Sequence, residues 1–257
     1  MKDNTNRSNG IGGLLDVLIN RRRVLHFTLI DPDRQPPGRT ADIARGCSAF
    51  GTDAFMVGGT SPFGRRLLEA TIRAVKENTD RPVIIFPNSA DAVSAKADAI
   101  YCLSLLNALD PRFFIGEQVR AARALSRTRL VPISLAYIVV GTSRNPTSIE
   151  RRVPLDPIGI GDIGKARDYA LAAEYLGMGC IYLEAGSGAD RPVPSAMIRA
   201  VRRAVSVPMI VGGGIRDPRR AQKTVQAGAD VVVTGTIVER DIESLEAVIR
   251  AVKTARP

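Results

Sequence analysis

At 257 residues the chain has the length of one large single domain, and no linker or low-complexity tract divides 1–257. Hydrophobic residues make up 45% and aromatics 5%, with no Trp, which predicts an aliphatic core; no apolar run nears the roughly 20 residues of a membrane span. The net charge of +10 favours anionic partners such as phosphates, lipid headgroups or nucleic acid. Much of it, as in Arg65-Arg66, Arg202-Arg203 and Arg219-Arg220, falls on expected helix surfaces, and no nucleic-acid reading element accompanies it.

Residues 1–10 are polar and expected to be disordered, with no signal-peptide pattern behind them. Cys47, Cys102 and Cys180 show no CxxC spacing and sit in or beside apolar stretches, which predicts buried, reduced thiols in a cytoplasmic protein. Short β-branched runs then recur at 24–30, 54–57, 83–86, 99–103, 130–139, 180–184, 208–211 and 231–234. Helical periodicity between them predicts helices over 40–50, 65–77, 115–125, 165–176, 194–204, 218–227 and 242–255. This alternation implies βαβ units and a parallel sheet. The stretch 88–98 is too short and polar for a full helix. The prediction is an α/β fold, a modified (β/α)8 TIM barrel with a reduced or missing third helix. A doubly wound open sheet would want a glycine-rich fingerprint after the first strand, where Asp31-Pro32-Asp33 stands instead. The Pro- and Gly-rich stretch 142–162 is expected as a mobile loop over the barrel mouth.

Active sites of such barrels lie where the strands end. Three of the last junctions are built from small residues: Glu184-Ala185-Gly186-Ser187-Gly188, Gly212-Gly213-Gly214 and Gly235-Thr236. Glycine lets the main chain approach a ligand closely, and amides at such junctions point at anions, so a phosphate pocket is expected. Glu184 ends its strand and faces that pocket, either as a general base for a phosphate ester's hydroxyl or as a structural partner of an Arg. Asp31-Pro32-Asp33 and Gly58-Gly59-Thr60-Ser61 end neighbouring strands and offer hard oxygen ligands for Mg2+, although Asp-Pro-Asp is equally good turn chemistry. His26, the single histidine, lies inside the first strand and is expected to be packed rather than catalytic. Asn88-Ser89 and Asn107 are expected to line the opening, and Tyr137 is either core or substrate contact.

Together, His26-Phe27-Thr28-Leu29-Ile30-Asp31-Pro32-Asp33, Gly58-Gly59-Thr60-Ser61, Tyr182-Leu183-Glu184-Ala185-Gly186-Ser187-Gly188, Val211-Gly212-Gly213-Gly214-Ile215 and Gly235-Thr236 resemble the geranylgeranylglyceryl phosphate synthase family, over 24–240. The resemblance implies a Mg2+-dependent prenyltransferase of ether-lipid synthesis joining geranylgeranyl diphosphate to sn-glycerol 1-phosphate. It implies that Tyr182, Leu183, Glu184, Ala185, Gly186, Ser187, Gly188, Gly213, Gly214, Gly235 and Thr236 hold glycerol 1-phosphate. Asp31 and Thr60 would hold Mg2+, and Glu184 would be the base. The chain looks like the family's longer group, often dimers or hexamers. The shorter group carries a Lys where this chain has Leu29, so a basic contact to the polar substrate is missing there or supplied from elsewhere. Bacterial relatives use a seven-unit prenyl donor, which leaves donor length open. A basic surface would also suit transient contact with an anionic membrane. The rival enzymatic reading is an isomerase or lyase acting on a sugar phosphate, since many barrels share the phosphate grip.

Overall fold

The eight predicted β-branched runs pair in parallel in chain order, and the last closes onto the first. In the computed structural model, which describes residues 20, 23–61, 63–237 and 242–256, they are β1 (Leu25–Ile30), β2 (Ala54–Gly58), β3 (Val83–Phe86), β4 (Ala99–Leu105), β5 (Val131–Val139), β6 (Cys180–Glu184), β7 (Met209–Gly212) and β8 (Val231–Thr234). The sheet is a closed TIM-type barrel, and the open-sheet alternative falls away. The predicted disordered stretch 1–10 lies outside the described residues.

The helices are α1 (Pro37–Phe50), α2 (Arg65–Lys76), α3 (Glu117–Leu125), α4 (Ser148–Arg152), α5 (Ile163–Tyr175), α6 (Ser195–Ala204), α7 (Pro218–Gln226) and α8 (Ile242–Thr254). Helix α1 starts three residues before its predicted start, because a proline at the first helical position has its φ already set and needs no N–H partner. A single wide turn, Arg112–Gly116, precedes α3. The helix that should follow β3 is missing, as expected. Instead 87–98 runs as irregular chain, tied down where Glu117 Oε2 accepts the Ala90 amide (2.6 Å) and Asp98 Oδ2 accepts the Val83 amide (2.8 Å). Helix α3 consequently lacks a helical neighbour on that side and has no fully buried residue. Among the described residues no helix is long and apolar enough to cross a membrane.

The period of two along each strand sorts the core into two layers. Ile43, Val57, Ile85, Ile138, Leu183 and Val211 fill the aliphatic layer between sheet and helices. Inside the barrel the expectation of a purely aliphatic core fails, because Phe86, Tyr101, Tyr137 and Tyr182 meet there. Tyr137 packs edge-on against Tyr182 and Phe86, with centroids 5.2 and 5.5 Å apart, the arrangement ring quadrupoles prefer.

His26 is fully buried, its ring nitrogens 3.0 Å from Thr52 Oγ1 and 2.9 Å from Thr234 Oγ1. Burial, with Lys253 nearby, pushes its pKa down to about 3, so it stays neutral and packs, as its place inside a strand predicted. All three cysteines are free thiols; Cys47 and Cys180 are buried, whereas Cys102 is only half-buried because it faces the gap left by the missing helix. The stretch 142–162 is more structured than a loop. It carries α4, capped reciprocally by Thr147 and Glu150, and buries Val153 and Ile158. Asn107 does not line the opening: it is buried, donating to the carbonyls of Val139 (3.0 Å) and Asp156 (3.1 Å) and accepting the Val139 amide.

Candidate active site

Two cavities open at the C-terminal ends of the strands. The first, about 660 Å³ including its solvent opening, is lined by Leu29, Asp31, Thr60, Tyr182, Glu184, Ser187, Gly213, Gly214, Arg216, Gly235 and Thr236, among others. The three small-residue junctions thus converge on one polar pocket, facing the ends of β1 and β2. Gly213 shows why glycine is needed here: its φ is +81°, and a Cβ would strike the Glu184 carboxylate and the Gly186 amide. Gly59 similarly lies flat against the Asp31 carboxylate, where a side chain would collide.

Glu184 is buried among hydrogen-bond donors. Its Oε1 accepts the Gly186 amide at 2.5 Å, and the hydroxyls of Tyr182 and Tyr137 stand near the same carboxylate. Burial raises its pKa above the ordinary carboxylate range, and these three groups only partly offset the rise. The structural alternative for Glu184, an arginine partner, is not realised: no arginine lies within ion-pairing distance among the described residues. Tyr182 shares the inward face with Glu184 by strand parity. Tyr137 joins them from β5, where the register sets it beside Tyr182 and sets Val139 beside Glu184.

Parity also limits the predicted set. Leu183 and Ala185 belong to the aliphatic layer and do not line the pocket. Gly186 packs against Thr147 and gives its amide to Glu184, and Gly188 gives its carbonyl to Arg216 (2.7 Å). Asp31 and Thr60 do line the pocket together. Arg34 Nε lies 3.9 Å from Asp31 Oδ2. Among the described residues no group of three or more His, Cys, Asp or Glu side chains comes together, so any cation here has few protein ligands. Mg2+ tolerates that, since it keeps waters and takes oxygens from substrate phosphates.

No motif in the sequence pointed to Arg216. It enters the pocket from the loop after β7, donates to the carbonyls of Gly188 and Ala189 (both 2.7 Å), and leaves a buried Nε without a partner.

The second cavity, about 870 Å³ including its opening, is the gap left by the missing helix. Its walls are mostly apolar, from Phe86, Val93, Ile100, Leu103, Phe113, Ala121 and Leu125, with Asn88 and Ser89 at the mouth as expected. Because β4 and α3 run antiparallel, the groove descends from Phe113 and Leu105 to Ile100 and Leu125. Along β4 this is roughly 17 Å for five residues at about 3.3 Å each. Gly59, Thr60, Phe86, Tyr137 and Ile149 line both cavities, so the polar pocket and the groove share a wall.

The model of the PcrB family matches residues 17–256. The chain belongs to that family. It is 44% identical to the geranylgeranylglyceryl phosphate synthase of Thermococcus gammatolerans, over 86% of each chain. It is 43% identical to the synthase of the same name from Thermoplasma volcanium, over 84% of each. The crystal structure of (S)-3-O-geranylgeranylglyceryl phosphate synthase from Thermoplasma acidophilum, in complex with its substrate sn-glycerol-1-phosphate, superposes with a TM-score of 0.88 at 39% identity, covering 93% of this chain and 98% of that one. The resemblance read from the motifs therefore holds across nearly the whole family match.

Proposed function

We propose that this chain transfers the prenyl group of geranylgeranyl diphosphate to the 3-hydroxyl of sn-glycerol 1-phosphate, giving geranylgeranylglyceryl phosphate and diphosphate. One observation carries the reading: a polar pocket built for a phosphate ester, with a buried carboxylate inside it, shares a wall with a long apolar groove. A sugar-phosphate isomerase has no use for that groove.

The glycerol phosphate group lies on the main chain of Ser187, Gly213, Gly214, Gly235 and Thr236, with Arg216 supplying a cation. Glu184, oriented by Tyr137, Tyr182 and the Gly186 amide, accepts the proton of the 3-hydroxyl. As the C1–O bond of the donor breaks, the diphosphate leaves with the bonding pair and the hydroxyl oxygen forms the new ether bond to C1. Fixing both reactants across one shared wall supplies the alignment this displacement needs. Asp31 and Thr60 would hold Mg2+, which when bound neutralises the charge of the diphosphate. Incubation with both substrates and Mg2+ should release diphosphate, with release requiring the acceptor; folded protein that releases none would sink the proposal.

The groove gives a length test. Ala121 lies one turn above Leu125 near the closed end, so Ala121→Phe should overfill it. Turnover with the four-unit donor should fall about tenfold or more while a two-unit donor is spared. Equal losses for both donors would place the end of the groove elsewhere.

Contact with an anionic membrane, and assembly into a dimer or hexamer, belong to the same proposal. The exposed residues Leu109, Ile115 and Val119 beside the groove support a surface contact, as do Arg123, Arg127 and Arg129, which have no carboxylate within ion-pair distance among the described residues. Anionic vesicles should then sediment the protein and neutral ones should not; equal behaviour with both would count against it. Sedimentation velocity reads the assembly state, and a monomer at micromolar concentration would remove that part of the proposal.

A further inference from the structure

We propose that Arg152 binds the diphosphate of the prenyl donor. This rests on the functional reading above. If the tail fills the groove and the acceptor fills the polar pocket, the diphosphate lies along the wall that the two cavities share. The residues of that wall, Gly59, Thr60, Phe86, Tyr137 and Ile149, carry no positive charge. Leu29 lines the polar pocket and brings none either. Each cavity has a single cationic side chain among its lining residues: Arg216 in the polar pocket and Arg152 in the groove. Arg216 is tied to the Gly188 and Ala189 carbonyls among the small-residue junctions, on the acceptor's side.

Arg152 closes α4, and that short helix brings it to the groove mouth. Its Nη1 donates to the carbonyl of Thr60 and its Nη2 lies 3.4 Å from the carbonyl of Asn88. These contacts fix the guanidinium beside the residue proposed to share the cation with Asp31. No carboxylate lies within ion-pair distance of Arg152 among the described residues, so its charge is not neutralised within the chain. A guanidinium has five N–H donors, and its planar fork matches phosphate oxygens. Two neutral carbonyls hold it in place and leave its remaining donors open at the exposed groove mouth. The preceding residues fix its position: Thr147 and Glu150 cap α4, and Val153 behind it is buried.

The test compares wild-type protein with Arg152→Gln and Arg152→Lys by steady-state kinetics with each substrate varied, and by inhibition with inorganic diphosphate in the presence of Mg2+. Gln removes the charge and is too short for the Thr60 and Asn88 carbonyls that the Nη atoms meet, so Arg152→Lys, which keeps a charge near the guanidinium position, separates lost charge from lost tether. For Arg152→Gln the KM for the prenyl donor and the inhibition constant for diphosphate should both rise roughly tenfold or more, the scale of a lost charge-assisted contact. The KM for glycerol 1-phosphate and the melting temperature should stay near wild type, and Arg152→Lys should recover part of the loss. A purely structural role would lower stability and move both substrates' constants together, and that result overturns the proposal. So does an Arg152→Gln protein with unchanged donor KM and diphosphate inhibition while the wild type turns over. An inert wild type would instead remove the functional reading on which the proposal stands.

Discussion

Glu184→Gln should lower turnover by roughly 10²- to 10⁴-fold, the range for loss of a general base, while glycerol 1-phosphate binding changes little. Glutamine keeps the shape and an oxygen that can accept the Gly186 amide, so the pocket persists while the ionisable group is lost. The pH profile gives a second readout. Burial raises the Glu184 pKa, and a base works only when deprotonated, so activity should rise with pH along a limb lying above the ordinary carboxylate range. That limb should vanish in the variant. Stability follows the same linkage. A folded-state pKa above the unfolded value favours the native state fully below the unfolded pKa, and the benefit is lost as pH rises through the folded pKa. Above its folded pKa the buried carboxylate is a cost, so Glu184→Gln should melt higher than wild type there and lose that advantage as the pH falls below it. Near-normal turnover would return Glu184 to a structural role.

Asp31→Asn should have the second largest effect. Asp31 and Glu184 are the carboxylates that line the pocket with Thr60, and with Glu184 assigned as the base, Asp31 is left to hold the cation. Removing its charge should raise the Mg2+ concentration needed for half-maximal turnover by at least the roughly 10- to 100-fold that even an outer-shell change costs. Calorimetry of inorganic diphosphate with Mg2+ reads the same loss without turnover. An unchanged metal dependence in both measurements would mean that Asp31 serves only its turn.

Much of the fold was legible because parallel strands buried on both faces read as continuous apolar runs. The missing third helix was legible because 88–98 is short and polar. The small-residue junctions led to the pocket by the same route, since strand ends of such barrels gather at one mouth. What escaped depended on contacts distant in sequence. Asn107 looked like a mouth residue, but its partners Val139 and Asp156 stand 32 and 49 residues away. Tyr137 gained its place near Glu184 only through the β5–β6 register. Nothing in the sequence marked Arg152 or Arg216, because the carbonyls that hold them belong to other loops. Two misreadings were avoidable. Strand parity already sent Leu183 outward, and Thr147-Ser148-Ile149-Glu150 is a capping box that announces α4.

The most direct measurement of the central claim is the mass of the product, because release of diphosphate alone would also follow from simple hydrolysis of an allylic diphosphate. With sn-glycerol 1-phosphate, geranylgeranyl diphosphate and Mg2+, mass spectrometry should find the geranylgeranyl ether of glycerol phosphate. The Glu184→Gln protein should form far less of it. Free geranylgeraniol without the ether, or no product from folded protein, would contradict the account.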